Sequence, residues 1–229
     1  MGKLETTGHD MNMPAFSGWR EGLPLYGPLL VIALVTAMAL RPWGWSWAAV
    51  IPLVVALAVM AFFRDFPRHC PGEPGVFYAP ADGTVVAIED LAETPHYGGA
   101  CRRISIFMSV FNVHVNRAPC QGLVRAVRYA PGRYRDARDP ASSKVNESNA
   151  VWMDTAHGPV TVRQIAGAVA RRIECPAREG MRLEAGQKFG MIRFGSRVEL
   201  YLPPDTTLLV KVGDVTRAGI TPTAKVSTS

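Results

Sequence analysis

Two uncharged apolar runs near the N-terminus constrain the fold of this chain more than any other feature. The first covers residues 25–40 and the second residues 43–63, and only Arg41 and Pro42 separate them. The second run has 21 residues, enough to cross a hydrocarbon core of about 30 Å at roughly 1.5 Å per residue. The pattern predicts two apolar helices, at about 23–40 and 43–63, that form a transmembrane hairpin in an N-terminal anchor of residues 1–66.

The residues that flank the apolar runs predict how this anchor lies in a membrane. Indole rings favour the membrane interface, and three of them mark the turn between the runs, at Trp43, Trp45 and Trp47. By the positive-inside rule, the basic residues beyond both ends put the following domain on the cytoplasmic side of the inner cell membrane. These residues are Lys3, Arg20, Arg64 and Arg68. A cleaved signal peptide and a buried hairpin of a soluble protein are the alternatives, although the apolar region is long and starts late for a signal peptide.

Residues 67–229 have a different pattern, with frequent glycine and proline between short apolar runs. Many short strand-like runs separated by turn residues are typical of an antiparallel sandwich or barrel. We therefore predict that this part is a compact, mainly β catalytic domain. Within it, residues 167–173 are predicted to form a short helix, and the polar, basic residues 133–149 a long loop.

The formal net charge of +6 comes from basic residues spread along the chain. Nucleic-acid binding would need a concentrated basic patch in a recognisable module, so we predict no nucleic-acid partner. An anionic membrane lipid surface fits better, and the basic side chains of the 133–149 segment either contact it or are simply solvated, at Arg133, Arg135, Arg138 and Lys144. The four cysteines form no C-x-x-C pair, and we predict no metal site.

A Gly-Ser pair, Gly195-Ser196, lies between two strand-like runs close to the C-terminus. In isolation such a pair most often marks a β-bulge or tight turn. It also allows self-cleavage, because glycine accepts unusual backbone shapes and a serine hydroxyl is a potential nucleophile. His114 and Asp82 could form a relay with Ser196, although a lone histidine and an Asp-Gly turn both have ordinary structural explanations.

Several segments together resemble phosphatidylserine decarboxylase proenzymes of the short, archaeal-like type. They occur in the family's order after the apolar runs, and the resemblance covers nearly all of the chain after Arg64. These segments are Ala79-Pro80-Ala81-Asp82-Gly83, Phe107 to Pro119, Asn146 to Asn149, Gln164 to Gly167, and Phe194-Gly195-Ser196-Arg197-Val198.

The resemblance implies a pyruvoyl-dependent enzyme that cuts itself between Gly195 and Ser196. The products are a β chain of residues 1–195 and an α chain of residues 196–229, and Ser196 becomes the covalent pyruvoyl cofactor. Asp82 and His114 are carried over as the relay that activates Ser196. Longer members have a second histidine three positions after the first, where this chain has Arg117.

The implied reaction is decarboxylation of phosphatidylserine to phosphatidylethanolamine and CO2 at the membrane surface, through a Schiff base between the pyruvoyl group and the substrate amine. His114 is the expected proton donor, because its ordinary pKa lies near neutrality. Three alternatives stay open: a membrane-anchored binding or carrier module, a serine hydrolase that lacks the G-x-S-x-G elbow, and a decarboxylase of a different amine head group. A homo-oligomer is compatible with the sequence.

Overall fold

The computed structural model describes residues 16–168, 172–193 and 195–226. Two apolar helices, α1 (Gly18–Ala39) and α2 (Val50–Phe62), come first and pack against each other. Two short 3-10 turns join them, at Arg41–Trp43 and Ser46–Ala49. Helix α1 begins five residues before the predicted start at 23, because the amide of Gly18 donates to the buried carboxylate of Asp65.

The outward side chains of both helices are apolar and exposed, for example Val31 (60%), Leu34 (61%) and Ile51 (67%). Helix α1, with 22 residues, is long and apolar enough to cross a membrane. The second apolar helical stretch, Ser46–Phe62, consists of the second 3-10 turn and α2, and it is shorter than α1. The longer helix is therefore the first one, although the longer uncharged run in the sequence is the second.

The remaining elements are strands and one short helix, α3 (Ser142–Val145). The strands are β1 (Val76–Tyr78), β2 (Gly83–Leu91), β3 (Cys101–Met108), β4 (Val115–Arg117), β5 (Gly122–Ala130), β6 (Ser148–Thr155), β7 (Gly158–Ala166), β8 (Ile173–Glu174), β9 (Arg182–Leu183), β10 (Lys188–Ile192), β11 (Ser196–Leu202), β12 (Thr207–Leu208), β13 (Val215–Thr216) and β14 (Pro222–Lys225).

Eight of these strands form one curled sheet in the order β13-β2-β3-β11-β7-β6-β5-β9. Two three-stranded sheets, β4-β10-β8 and β1-β14-β12, complete the domain. The described structure has 37% strand and 22% helix. The predicted class, a mainly β barrel-like domain behind apolar helices, is confirmed.

Strand β11 is the central strand of the large sheet and is buried on both faces. Alternate residues of a strand point to opposite faces, so Val198, Leu200 and Leu202 join the hydrophobic core. The other face carries Arg197, Glu199 and Tyr201, which are also buried. Ser196 is the first residue of the strand and lies on the same face as Val198, Leu200 and Leu202.

A polar cluster is buried on the face of β11 opposite the core. The Glu199 carboxylate accepts hydrogen bonds from Ser143 Oγ at 2.7 Å and Tyr201 Oη at 2.6 Å, and it pairs with Arg163 at 3.4 Å. A buried carboxylate is tolerated only when its oxygens are paired in this way. The segment predicted as a loop, residues 133–149, covers this face through Ser143.

That segment is only partly irregular. Residues 142–145 form α3, and Ser148 and Asn149 already belong to β6. The helix predicted over 167–173 includes residues 169–171, which lie outside those described. Of its other residues, Gly167, Ala168 and Arg172 are not helical, and Ile173 begins β8.

Candidate active site

Ser196 lies at the entry of the central strand, with its side chain fully buried. It pairs in register with Met108 of β3 on one side and with Ala166 of β7 on the other. Its hydroxyl contacts the Met108 sulfur at 3.4 Å. Pairing on both sides holds the serine backbone in place, and the apolar surroundings leave its hydroxyl without competing water.

The residue before Ser196 has the backbone geometry that a glycine supplies. Gly195 has φ +67°, a left-handed conformation in which other residues are strained. Its carbonyl lies directly against Gly167, where a Cβ atom would overlap the Gly195 oxygen. Two glycines therefore allow the Gly195 carbonyl to enter the space beside β7.

His114 faces this peptide segment from the other side. The turn between β3 and β4 positions it, and in this turn Asn112 accepts hydrogen bonds from the amide and hydroxyl of Ser109. The His114 Nδ1 atom lies 2.9 Å from the Asn112 carbonyl oxygen. A carbonyl can only accept, so Nδ1 carries the proton and Nε2 is unprotonated. That Nε2 accepts the Gly195 amide hydrogen at 3.4 Å.

Burial makes His114 a neutral imidazole at physiological pH. It is fully buried, and burial lowers its pKa from 6.5 to about 4. The hydrogen bond to Asn112 and the charge of Asp82 raise the pKa, and the charge of Arg64 lowers it, but burial has the largest effect. A neutral imidazole with a free Nε2 is the form that can accept a proton.

Asp82 is held mainly by a different partner. Its carboxylate pairs with both terminal nitrogens of Arg68, at 2.5 and 2.8 Å, and accepts the Ala218 amide at 2.8 Å. Among the described residues no hydrogen bond joins Asp82 to His114, and Asn112 orients the imidazole ring instead. The structure thus brings His114 to the Gly195-Ser196 segment and leaves Asp82 as a nearby charge.

Arg117, three positions after His114, is held by groups outside the Gly195-Ser196 segment. Its guanidinium donates to the carbonyl oxygens of Gly186 at 2.9 Å and Phe66 at 3.2 Å. It also lies 3.9 Å from the Asp65 carboxylate. Arg117 therefore connects the segment that follows α2 to the β domain.

Behind Ser196, sequence reasoning missed a row of buried amide side chains. Asn116 lies 3.8 Å from the Met108 sulfur and accepts from Gln164 at 2.9 Å. Gln164 in turn accepts from Asn149 at 3.2 Å. Buried polar groups need such partners, and this row supports the methionine that touches Ser196. Asn149 and Gln164 lie in the family-like segments quoted above, which was the signal available in the sequence.

A mainly apolar cavity of about 300 Å³ opens beside Gly195. Phe107, Val110, Ala137 and Ala168 contribute its apolar lining. Its polar lining consists of Ser109, Asp136 and Arg138. The cavity therefore combines an apolar wall, a few polar groups and direct access to the Gly195 backbone, as expected of a ligand pocket.

Comparison with known proteins gives the class of this chain. A model of the family described as phosphatidylserine decarboxylase matches residues 55–224, beginning inside α2. The phosphatidylserine decarboxylase proenzyme of Nitrosomonas eutropha is 46% identical over 201 residues, which cover 87% of this chain and 90% of that protein. The proenzyme of Syntrophus aciditrophicus is 42% identical over 204 residues, which cover 89% and 94% respectively.

The fold, the site and these matches together define a decarboxylase that is made as a proenzyme. The chain belongs to the phosphatidylserine decarboxylase family. The predicted family and the predicted enzyme class, a lyase of phospholipid metabolism, are confirmed. The matches cover nearly the whole length of both relatives.

Proposed function

We propose that this chain is a membrane-bound proenzyme that cuts itself between Gly195 and Ser196 and then converts phosphatidylserine to phosphatidylethanolamine and CO2. One observation carries the proposal. A buried serine follows a left-handed glycine whose amide contacts the free Nε2 of a neutral, buried histidine. The names of the relatives support the substrate.

The cut begins with attack of Ser196 Oγ on the carbonyl carbon of Gly195. His114 Nε2, the nearest imidazole nitrogen to this segment, accepts the hydroxyl proton. The Gly195–Ser196 C–N bond breaks, the Ser196 nitrogen takes up a proton, and an ester joins the Gly195 carbonyl to Oγ. Gly167 supports this step, because its missing side chain leaves room for the carbonyl as it changes shape.

The ester then breaks by elimination. Ser196 Cα loses its proton, the Cβ–Oγ bond breaks, and Gly195 departs as a carboxylate. Water replaces the Ser196 nitrogen, which leaves as ammonia, and a terminal ketone remains. The resulting chains, residues 1–195 and 196–229, stay together because β11 of the smaller chain pairs with β3 and β7 of the larger.

The position of Ser196 fits a pyruvoyl group. Met108 contacts the side chain, and the strand pairing on both sides fixes the backbone. Once formed, the group would supply an electrophilic carbonyl for the substrate amine and an electron sink for the bond to the departing carboxylate. The apolar cavity beside Gly195 offers space for part of the lipid.

In the decarboxylation, the unprotonated His114 Nε2 takes a proton from the ammonium group of the arriving substrate and returns it to the substrate Cα after CO2 leaves. Asn112 keeps the ring oriented through Nδ1. Asp82, paired with Arg68, favours the protonated ring through its charge, because it raises the pKa of His114. In this proposal Asp82 is a positioning residue that acts through His114.

The apolar helices support the proposed membrane location. Helix α1 is long and apolar enough to cross a bilayer. In this proposal the 3-10 turns and α2 lead the chain back, and the basic residues after α2 lie on the cytoplasmic face of the cell membrane. The outward apolar side chains of both helices then contact lipid instead of water. The enzyme meets a two-chain lipid substrate without removing it from the bilayer.

The deciding experiment is the intact mass of the purified protein in detergent. The proposal predicts two chains divided before Ser196, with the smaller one blocked at its N-terminus and labelled when an amine and cyanoborohydride are added. Ser196→Ala should give one uncut, unlabelled chain without decarboxylase activity, and Ser46→Ala, at an exposed serine in the 3-10 turn before α2, is the matched control that should cut normally. An active wild-type chain that is uncut and lacks a reactive carbonyl would refute the proposal.

A further inference from the structure

The segment that ends the apolar helices contacts His114, the turn that carries it, and Asp82. The ring of Phe62, the last residue of α2, lies 4.2 Å from the His114 ring between centroids. Arg64 donates to the carbonyl of Phe111, in the turn that carries His114. Arg68 holds Asp82. Residues 62–68, here called the junction, are therefore packed into the site.

Phe62 supplies one wall of the histidine's environment. The two rings are tilted by 37° and lie within contact distance, and Phe62 itself is only 6% exposed. The His114 ring is thus held between the Phe62 ring, the Asn112 carbonyl and the Gly195 amide. Two of these contacts come from the β domain, whereas the third comes from an apolar helix.

The junction also fixes where α2 ends relative to the β domain. The buried carboxylate of Asp65 accepts the Gly18 amide at the start of α1 and pairs with Lys188 of β10 at 2.6 Å. Trp19 Nε1 donates to the Asp65 carbonyl at 3.0 Å. The two helices and β10 are therefore tied at one residue, and a shift of the helices would move the Phe62 ring.

We infer that Phe62 is a positioning residue for His114, so that self-cleavage requires the apolar helices to be docked on the β domain. This inference rests on the proposed self-cleavage. The ring holds the imidazole with Nε2 towards Gly195 and keeps water from it. The helices thus form part of the processing site as well as an attachment to the membrane.

The test compares rates of self-cleavage of the full chain, refolded in detergent micelles between pH 5 and pH 8. Phe62→Leu keeps an apolar side chain but loses the ring. It should cut about tenfold more slowly at pH 8, which is a smaller loss of rate than removal of a general base would cause. The deficit should be larger at pH 5, because water admitted to His114 raises its pKa from about 4 towards 6.5 and removes the free base.

Two other phenylalanines provide matched controls. Phe77→Leu alters a fully buried ring in the main core of the β domain, so it should lower thermal stability without changing the pH dependence of cutting. Phe66→Leu alters a ring that is 54% exposed and should change neither property. Arg64 and Asp82, whose charges also act on His114, are left in place in all variants.

Phe62→Tyr keeps the ring and should restore both the rate and the pH profile. The inference is overturned if Phe62→Leu cuts at the wild-type rate across the pH range. It is also overturned if Phe77→Leu shows the same change in pH profile. Failure of the proposed function looks different, since the wild-type chain itself would then stay uncut.

Discussion

The apolar helices and the β domain direct their apolar side chains in opposite ways. In the β domain the apolar residues point inward, and even the polar face of β11 is buried, with Glu199 bonded to Ser143 and Tyr201. In the helices the large apolar side chains point outward, as at Leu34 and Ile51. The β domain thus builds its own apolar interior, whereas the helices need an apolar solvent around them.

The largest expected effect comes from breaking the buried cluster of the β domain. Glu199→Gln leaves the buried guanidinium of Arg163 without its carboxylate, and we expect it to lower the free energy of unfolding by about 3–5 kcal/mol. Leu34→Ala, at a side chain that is 61% exposed, should cost less than about 0.5 kcal/mol in detergent. Chemical denaturation of both variants in the same micelles measures the contrast.

If both variants lose the same free energy of unfolding, the helices contact the β domain over a larger surface than this structure shows.

Acid should unfold the β domain while the helices persist, since α1 and α2 contain no histidine. Unfolded His114 binds a proton below about pH 6.5, whereas folded His114 does so only near its pKa of about 4. Stability therefore falls as pH falls from 6.5 to 4, by about 3 kcal/mol. His96, whose pKa is also lowered to about 4 by burial, adds to the loss.

Denaturation midpoints measured at pH 7 and pH 4.5 check this slope. His157→Gln, at an exposed histidine, should leave the slope unchanged. His114→Gln should reduce it, and an unchanged slope in that variant would contradict the assignment.

Replacing a glycine by alanine tests the cleavage site and the docking of the helices separately. In Gly167→Ala the new Cβ overlaps the Gly195 carbonyl, so self-cleavage should slow about tenfold or more, equivalent to about 1.4 kcal/mol in activation free energy. In Gly22→Ala, within α1, the new Cβ overlaps the Phe63 ring and should mainly weaken helix docking. Gly98→Ala meets no atom within 4 Å and serves as the control.

Band intensities of cut and uncut chain over time give these rates. A Gly167→Ala chain that cuts as fast as the Gly98→Ala chain would mean that the Gly195 carbonyl does not use this space.

The smallest effects are expected at the basic surface of the β domain. Arg138 pairs with Asp136 at 2.7 Å, and Arg135 lies 3.9 Å from Asp139, so both are partly neutralised. Neither Arg133 nor Lys144 forms an ion pair among the described residues. Changing either of these two to Gln should weaken attraction to anionic vesicles by about 1 kcal/mol or less.

The measurement is the salt dependence of decarboxylase activity on vesicles that contain anionic lipid, because salt screens such attraction. Arg135→Gln, at a residue that lies beside Asp139, should have a smaller effect than Lys144→Gln, and the reverse order would argue against lipid contact through this surface.

Local pattern was sufficient for much of the fold and for part of the site. Short apolar runs between turn residues predicted a mainly β domain, and the order of the family-like segments pointed to Ser196 and His114, which the structure brings to one peptide segment. The pattern did not predict that Asn112 orients His114 or that Arg68 holds Asp82. Those pairings join residues from different elements, and their choice depends on turn geometry and on which groups are buried together.

By itself, the sequence determined that the chain has an apolar N-terminal pair of helices, a mainly β domain and a Gly-Ser pair before a central strand. These properties follow from side-chain periodicity and glycine content, which are local. Only the tertiary structure decided that Phe62 covers His114, that Gly167 makes room for the Gly195 carbonyl, and that Arg117 serves the junction. Strand register and packing set these contacts, and both depend on the whole folded chain.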